Sequence, residues 1–181
     1  MKFKRASIPD VIICEPKIHK DHRGYFVETF RKDKLEEFIG YTLNFCQDNE
    51  SSSTFGVLRG LHYQLAPYAQ SKLIRVISGS VLDIAVDIRK DSPTFGKYVS
   101  IELTGENKKQ FFIPKGFAHG FVVLSDEATF AYKVDAYYEP NFDRGIAYDD
   151  ALLGIDWKVL NEEIQVSAKD AQQPSFLGAD F

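Results

Sequence analysis

From residue 72 onward the chain alternates hydrophobic and polar positions in short runs broken by turns. Residues 73–77 and 81–88 flank the turn Ser78-Gly79-Ser80, and in the second run Leu82, Ile84, Val86 and Ile88 alternate with Asp83 and Asp87. Side chains two apart on a strand share a face, so this pair predicts a hairpin with one core side and one polar side. Residues 98–103, 110–113, 120–124 and 129–137 predict further strands, with a turn at 105–107 and Pro114 ending the run before it.

The first third is less regular. Residues 11–13 are apolar and β-branched and precede Glu15-Pro16, which predicts an edge strand that stops early. A polar turn through Gly24 leads into a strand over 25–30, whose alternation places Phe26, Glu28 and Phe30 on one side, at a pocket or its rim. Leucine and phenylalanine three residues apart, followed by Gly40, predict a helix over 32–39. Residues 44–50 return to an extended pattern that puts Gln47 and Asn49 on one face, and Ser51-Ser52-Ser53 predicts a turn. Many short strands with one short helix imply an all-β sandwich or barrel of the jelly-roll kind. Past Pro140 the pattern loosens, and the tail is polar apart from Ile155, Trp157 and Val159.

Composition narrows the partners. The 181 residues lack any linker-like stretch, so residues 1–181 are expected to form a single domain. A net charge of −4 without a basic cluster disfavours nucleic acid. With no signal peptide, no long apolar run and only Cys14 and Cys46, the expectation is a soluble cytoplasmic protein without membrane contact.

The candidate chemistry centres on Arg59-Gly60-Leu61-His62-Tyr63-Gln64, where a cation, an imidazole and an amide share one extended segment. Imidazole has a pKa suited to proton transfer near neutrality, although half-buried structural histidines are common. A β-barrel metal site of the cupin type needs a second histidine beside His62, and Gln64 is a poor substitute; no catalytic metal is expected. Pro114-Lys115-Gly116-Phe117-Ala118-His119 does resemble the second cupin motif. Arg59 and His62 are three positions apart and would face opposite sides of a regular strand, so Gly60 is expected to mark a bulge.

Arg59 to Gln64, Lys72, the segment 79–89, residues 113–126 and residues 132–138 together resemble the dTDP-4-dehydrorhamnose 3,5-epimerase family, in order from about residue 23 to residue 170. The resemblance implies a metal-free cupin jelly roll that is a homodimer, needs no cofactor and acts on a dTDP-4-keto-6-deoxyhexose. It places the chain in dTDP-L-rhamnose biosynthesis, toward cell-wall polysaccharide or O-antigen. It also implies catalytic roles for His62 (base), Tyr132 (acid), Lys72 (oxyanion cation) and Asp170 (partner of His62), with Asp83 the other candidate partner. Substrate binding would fall to Arg23, Arg59 and Lys169 at the diphosphate, Glu28, Gln47 and Asn49 at the nucleotide, Tyr138 stacked on thymine and His119 at the sugar, with Phe26 beside them. Asp143 stands where the family usually has a glutamate.

That chemistry is consistent with the residue types. Removing a hydrogen from a carbon next to the C4 ketone and returning one to the other face inverts C3 or C5 through an enolate. A ketone α-carbon is about ten pKa units less acidic than imidazolium, or about 14 kcal/mol, so a cation at the oxygen is needed. Related members invert one carbon only; a 3,4-ketoisomerase, a non-catalytic nucleotide-sugar binder and a metal-dependent oxygenase are the other readings.

Overall fold

The computed structural model describes residues 1–181. Its strands are β1 (Lys2–Arg5), β2 (Ile12–Glu15), β3 (Ile18–Asp21), β4 (Gly24–Val27), β5 (Gln47–Thr54), β6 (Leu58–Gln64) and β7 (Lys72–Ser78). They continue with β8 (Ser80–Asp87), β9 (Tyr98–Thr104), β10 (Gln110–Ile113), β11 (Phe117–Val123), β12 (Glu127–Val134) and β13 (Asp143–Gly145). The single α-helix, α1, is Lys32–Ile39, and it stops where Gly40 turns left-handed (φ 87°) and donates its N–H to Glu36 O at 2.8 Å.

A six-stranded sheet has the order β1-β2-β10-β7-β12-β5, a five-stranded sheet the order β13-β6-β11-β8-β9, and β3-β4 form a separate ribbon. Between the two large sheets lies a core built from Ile74, Val76, Phe111 and Phe130 on one side and Val81, Ala85, Phe121 and Val123 on the other. This is the jelly roll expected from the strand pattern. The outer surface of the five-stranded sheet carries Leu58, Leu61, Leu82, Ile84 and Val86 and is covered by Ile146, Leu153, Trp157 and Phe176 from the C-terminal segment. On the outside of the other sheet, Leu35 of α1 packs with Ile12, Leu73 and Phe112.

Several local expectations need correction. The segments around Gly79 are not a hairpin: β7 pairs with β10 and β12, whereas β8 pairs with β9 and β11. Gly79 (φ 76°) turns a corner between sheets, and a Cβ there would sit 2.1 Å from Glu127 O. Both faces of β8 are therefore buried, and the side carrying Asp83 is the sandwich interior. Ser51, Ser52 and Ser53 are not a turn but the middle of β5, paired with Phe130, Thr129 and Ala128. The early strand is not an edge, because Lys2-Phe3-Lys4-Arg5 adds a strand outside it; its charges suit an exposed edge and hid it from a hydrophobic reading. The run 25–30 is strand only to Val27, so Glu28 and Phe30 lie beyond it.

The Gly60 bulge is present. On β6 three steps separate Arg59 from His62, while their partners Phe121 and His119 on β11 are two steps apart. Gly60 has φ 137°, and a Cβ would meet Gly120 Cα at 2.5 Å and His119 O at 2.9 Å. The extra residue brings Arg59 and His62 to the same side.

Candidate active site

A cavity of about 660 Å³ opens between the sheets, lined by Arg59, His62, Lys72, His119, Tyr132 and Asp170, among others. β6 and β11 bring His62 and His119 from the five-stranded sheet, side by side in register, while β7 and β12 bring Lys72 and Tyr132 from the facing sheet. The base and acid candidates therefore stand on opposite walls. Phe121 and Phe130, stacked across the sandwich with centroids 4.0 Å apart and planes 13° apart, form the apolar end of the cavity.

His62 Nε2 lies 2.6 Å from Asp170 Oδ1; the imidazole side chain is 31% exposed and the carboxylate 4%. Asp170 reaches it because the tail is stitched onto the sheet: Leu58 N donates to Gln165 O at 2.8 Å, and Gln165 N donates to Gly56 O at 2.9 Å. Burial alone would raise the Asp170 pKa. The hydrogen bond and charge of His62, with the N–H of Gly60 and the Ser167 hydroxyl, outweigh it and hold the carboxyl below its ordinary range. This resolves the choice of partner in favour of Asp170. Asp83 instead accepts from His119 Nε2 at 3.0 and 3.1 Å, fully buried.

Lys72 is 9% exposed, and its pKa is pushed down to about 8 by burial, against the opposing charges of Asp83 and Asp143. No protein group hydrogen-bonds its Nζ, and no buried side-chain polar atom is left unsatisfied, so the ammonium opens onto the cavity. Burial also raises the Tyr132 pKa, which keeps its phenol protonated at neutral pH.

At the rim, Tyr138 Oη donates to Asp143 Oδ2 at 3.2 Å, and Lys169 Nζ pairs with the same carboxylate. The Tyr138 N–H donates to Gln47 Oε1 at 3.4 Å, and Gln47 Nε2 donates to Asn49 Oδ1 at 2.8 Å. Five of the expected binding residues thus form one connected edge. Arg59 Nε and Nη2 both donate to Ser53 Oγ, at 3.2 and 3.1 Å. Ser51, which lines the cavity, and Ser53 fall in the expected turn, and Glu50 and Ser167, which line it too, carry no sequence signal. Gln64 has its amide committed to the loop above it, donating to Tyr68 O and Tyr137 O and accepting from Glu139 N.

Three expected residues are elsewhere. Arg23 pairs with Asp21 at 2.6 Å, Phe26 is 72% exposed on the β3–β4 ribbon, and Glu28 lies 3.7 Å from Arg31; none lines the cavity. No three His, Cys, Asp or Glu side chains converge closely enough to hold a metal ion. No helix is long and apolar enough to cross a membrane.

The family model described as dTDP-4-dehydrorhamnose 3,5-epimerase matches residues 5–177. A protein of that name from Shigella flexneri is 52% identical over 181 residues, 100% of this chain and 99% of that one. The crystal structure of a dTDP-6-deoxy-D-glucose-3,5-epimerase from Legionella pneumophila, in complex with dTDP-4-keto-L-rhamnose, superposes with a TM-score of 0.95 at 51% identity, covering 99% of this chain and 94% of that one. A 3'-monoepimerase from Streptomyces bikiniensis, in complex with dTDP-quinovose, gives a TM-score of 0.88 at 32% identity over 96% of this chain and 87% of that one.

Proposed function

The chain belongs to the dTDP-4-dehydrorhamnose 3,5-epimerase family, and from that premise we propose that His62, Lys72, Tyr132 and Asp170 carry its reaction. The protein is an isomerase that inverts C3 and C5 of dTDP-4-dehydro-6-deoxy-D-glucose to give dTDP-4-dehydro-L-rhamnose. The observation that carries the assignment of roles is the placement of the His62–Asp170 pair on one wall and of Lys72 and Tyr132 on the other.

His62 takes the hydrogen from C3 or C5, and the electron pair of the broken C–H bond moves into the ring as the ketone becomes an enolate. Asp170 holds the imidazole ring and offsets its new charge. Lys72 meets the oxygen with a desolvated ammonium, where a charge interaction is far stronger than in water. Tyr132 delivers a proton to the opposite face of the carbon. The partial exposure of His62 lets its proton leave to solvent between turnovers, and solvent in the cavity returns one to the Tyr132 phenolate.

For the substrate, Arg59 and Lys169 are positioned for the diphosphate, and the edge formed by Gln47, Asn49, Tyr138 and Asp143 for the thymidine. Planar guanidinium groups and a stacking phenol suit those partners. His119 takes the sugar. Asp143 reaches both Tyr138 and Lys169, so the side chain shorter than glutamate still bridges the rim.

The working unit in this reading is a homodimer in which the β3–β4 ribbon of one copy brings Arg23, Phe26 and Glu28 to the cavity of the other. The exposure of Tyr25 (56%) and Phe26 (72%) supports an apolar tip that packs against a second chain. All of residues 1–181 serve one cavity as one domain, and the two unpaired cysteines suit a reducing cytoplasm.

Deuterium incorporation from heavy water, followed at C3 and C5 in wild type and His62→Ala, tests the mechanism. Label at both carbons that vanishes in the variant is expected. Label that persists without His62 would overturn the assignment of the base.

A further inference from the structure

Asp83 is a charged group at the centre of the sandwich for which packing supplies no reason. It is 0% exposed on β8, its neighbours along that face are Val81 and Ala85, and both its oxygens are turned to one nitrogen, Nε2 of His119. A carboxylate so placed is costly unless it is paired. His119 is also buried, at 7% exposure, and its other ring nitrogen has no protein partner, yet it is not sealed off from the cavity. Lys72, from the facing sheet, opens onto the same space without a hydrogen-bonding partner.

The charged and titratable groups around Lys72 come from every wall. They are Asp83 on β8, His119 on β11, Arg59 and His62 on β6, Glu50 on β5, Tyr132 on β12 and Asp143 on β13, with Lys169 and Asp170 from the tail. Of the aspartates, Asp170 is engaged by His62, and Asp143 by Lys169 and Tyr138. The donor to Asp83 is a neutral ring: burial, outweighing the attraction of Asp83, lowers the His119 pKa and favours the uncharged imidazole. Burial raises the Asp83 pKa in turn, against the pull of His119 and of Lys72, so Asp83 and Lys72 each favour the charged form of the other.

We propose that Asp83 is a positioning residue of this site, a sealed counter-charge that fixes His119 with its Nε2–H turned inward and keeps the ammonium of Lys72 available to the enolate oxygen. The proposal rests on the catalytic roles given above. It adds a function for the second histidine–aspartate pair: Nδ1 of His119 is left as an acceptor for a sugar hydroxyl, and Asp83 stabilises the charged form of Lys72 through space. Without Asp83, burial acts on Lys72 less opposed, and the lysine loses its proton at lower pH.

The test is Asp83→Asn, which keeps the shape and removes the charge. Turnover is expected to fall about 100-fold, dTDP affinity to stay within about twofold, and the basic limb of the kcat–pH profile to move down by about one unit. A variant that keeps turnover within about threefold of wild type, or loses it with the basic limb unmoved, overturns the proposal. Should the variant not fold, nitrogen-15 NMR of the histidine-labelled wild type decides the matter. His119 is expected as the Nε2–H tautomer at neutral pH, and the Nδ1–H tautomer or the imidazolium overturns the proposal. Lys72→Gln with Asp83 intact separates the two levels, since unchanged turnover there would overturn the oxyanion role of Lys72 itself.

Discussion

His62 and Asp170 stand 108 residues apart in the chain and 2.6 Å apart in the fold. The contact is made by a tail without regular strands, held to the sheet by the parallel bridge between Val57 and Gln165 and by the buried ring of Phe176. Asp170→Asn keeps the size of the side chain and removes the charge that offsets the imidazolium. Turnover is expected to drop by about 100-fold or more, while dTDP binding changes by less than about twofold. Steady-state kinetics beside calorimetric titration with dTDP checks this, and a parallel loss of nucleotide affinity would mean that Asp170 only shapes the cavity.

Lys72 sets function against stability. An unfolded lysine keeps its proton to about pH 10.4, whereas the folded one keeps it only to about 8. Between those values the unfolded chain binds more protons, so stability rises as pH climbs through that window, and the charged lysine costs about 3 kcal/mol at neutral pH. Lys72→Met is expected to abolish turnover and to raise unfolding stability by about 1–3 kcal/mol at pH 7, with less gain at pH 10. Urea unfolding at the two pH values measures it, and wild-type turnover should decline above about pH 8 as the ammonium is lost.

The proposed exchange of the β3–β4 ribbon between two copies predicts complementation. Arg23→Ala and His62→Ala proteins, each weak alone at low substrate, are expected to regain about a quarter of wild-type activity once mixed and re-equilibrated. Half the dimers would then be mixed, each with one intact site of two. No recovery, with mixed dimers confirmed by mass spectrometry, would place Arg23 in its own chain's site or outside any site.

Gly60→Ala sets a Cβ 2.5 Å from Gly120 Cα, at a φ that disfavours any other residue. The expected cost is about 2–4 kcal/mol of stability, with a further loss of activity because the bulge no longer presents Arg59 and His62 together. Thermal unfolding beside kcat reads both, and a stable, active variant would show that the bulge tolerates a side chain.

What could be read from the chain follows from how local each signal is. Alternation over 81–88 and the glycine after Ile39 are local, and they identified a strand and a helix end correctly. Which strand pairs with which is not local: a corner at Gly79 and a hairpin at Gly79 need the same residues, and only the facing sheet distinguishes them. Ser51 to Ser53 failed for a related reason, because three serines read as a turn until Arg59 and β12 are beside them. At the site, residue type alone marks His62, whereas Lys72, Tyr132 and Asp170 come through the resemblance; nothing near Ser167 marks Asp170 as buried. Asp83, the other candidate partner for His62, is the partner of His119 instead, because the hairpin that turned it toward a polar surface does not exist.

The two phenylalanines stacked across the sandwich, Phe121 and Phe130, act as a spacer. His62 and Lys72 are mounted on different sheets, so the thickness of the sandwich also sets the span between them across the cavity. A protein built this way should fall silent on gentle warming, as the sheets slacken, well before its strands come apart.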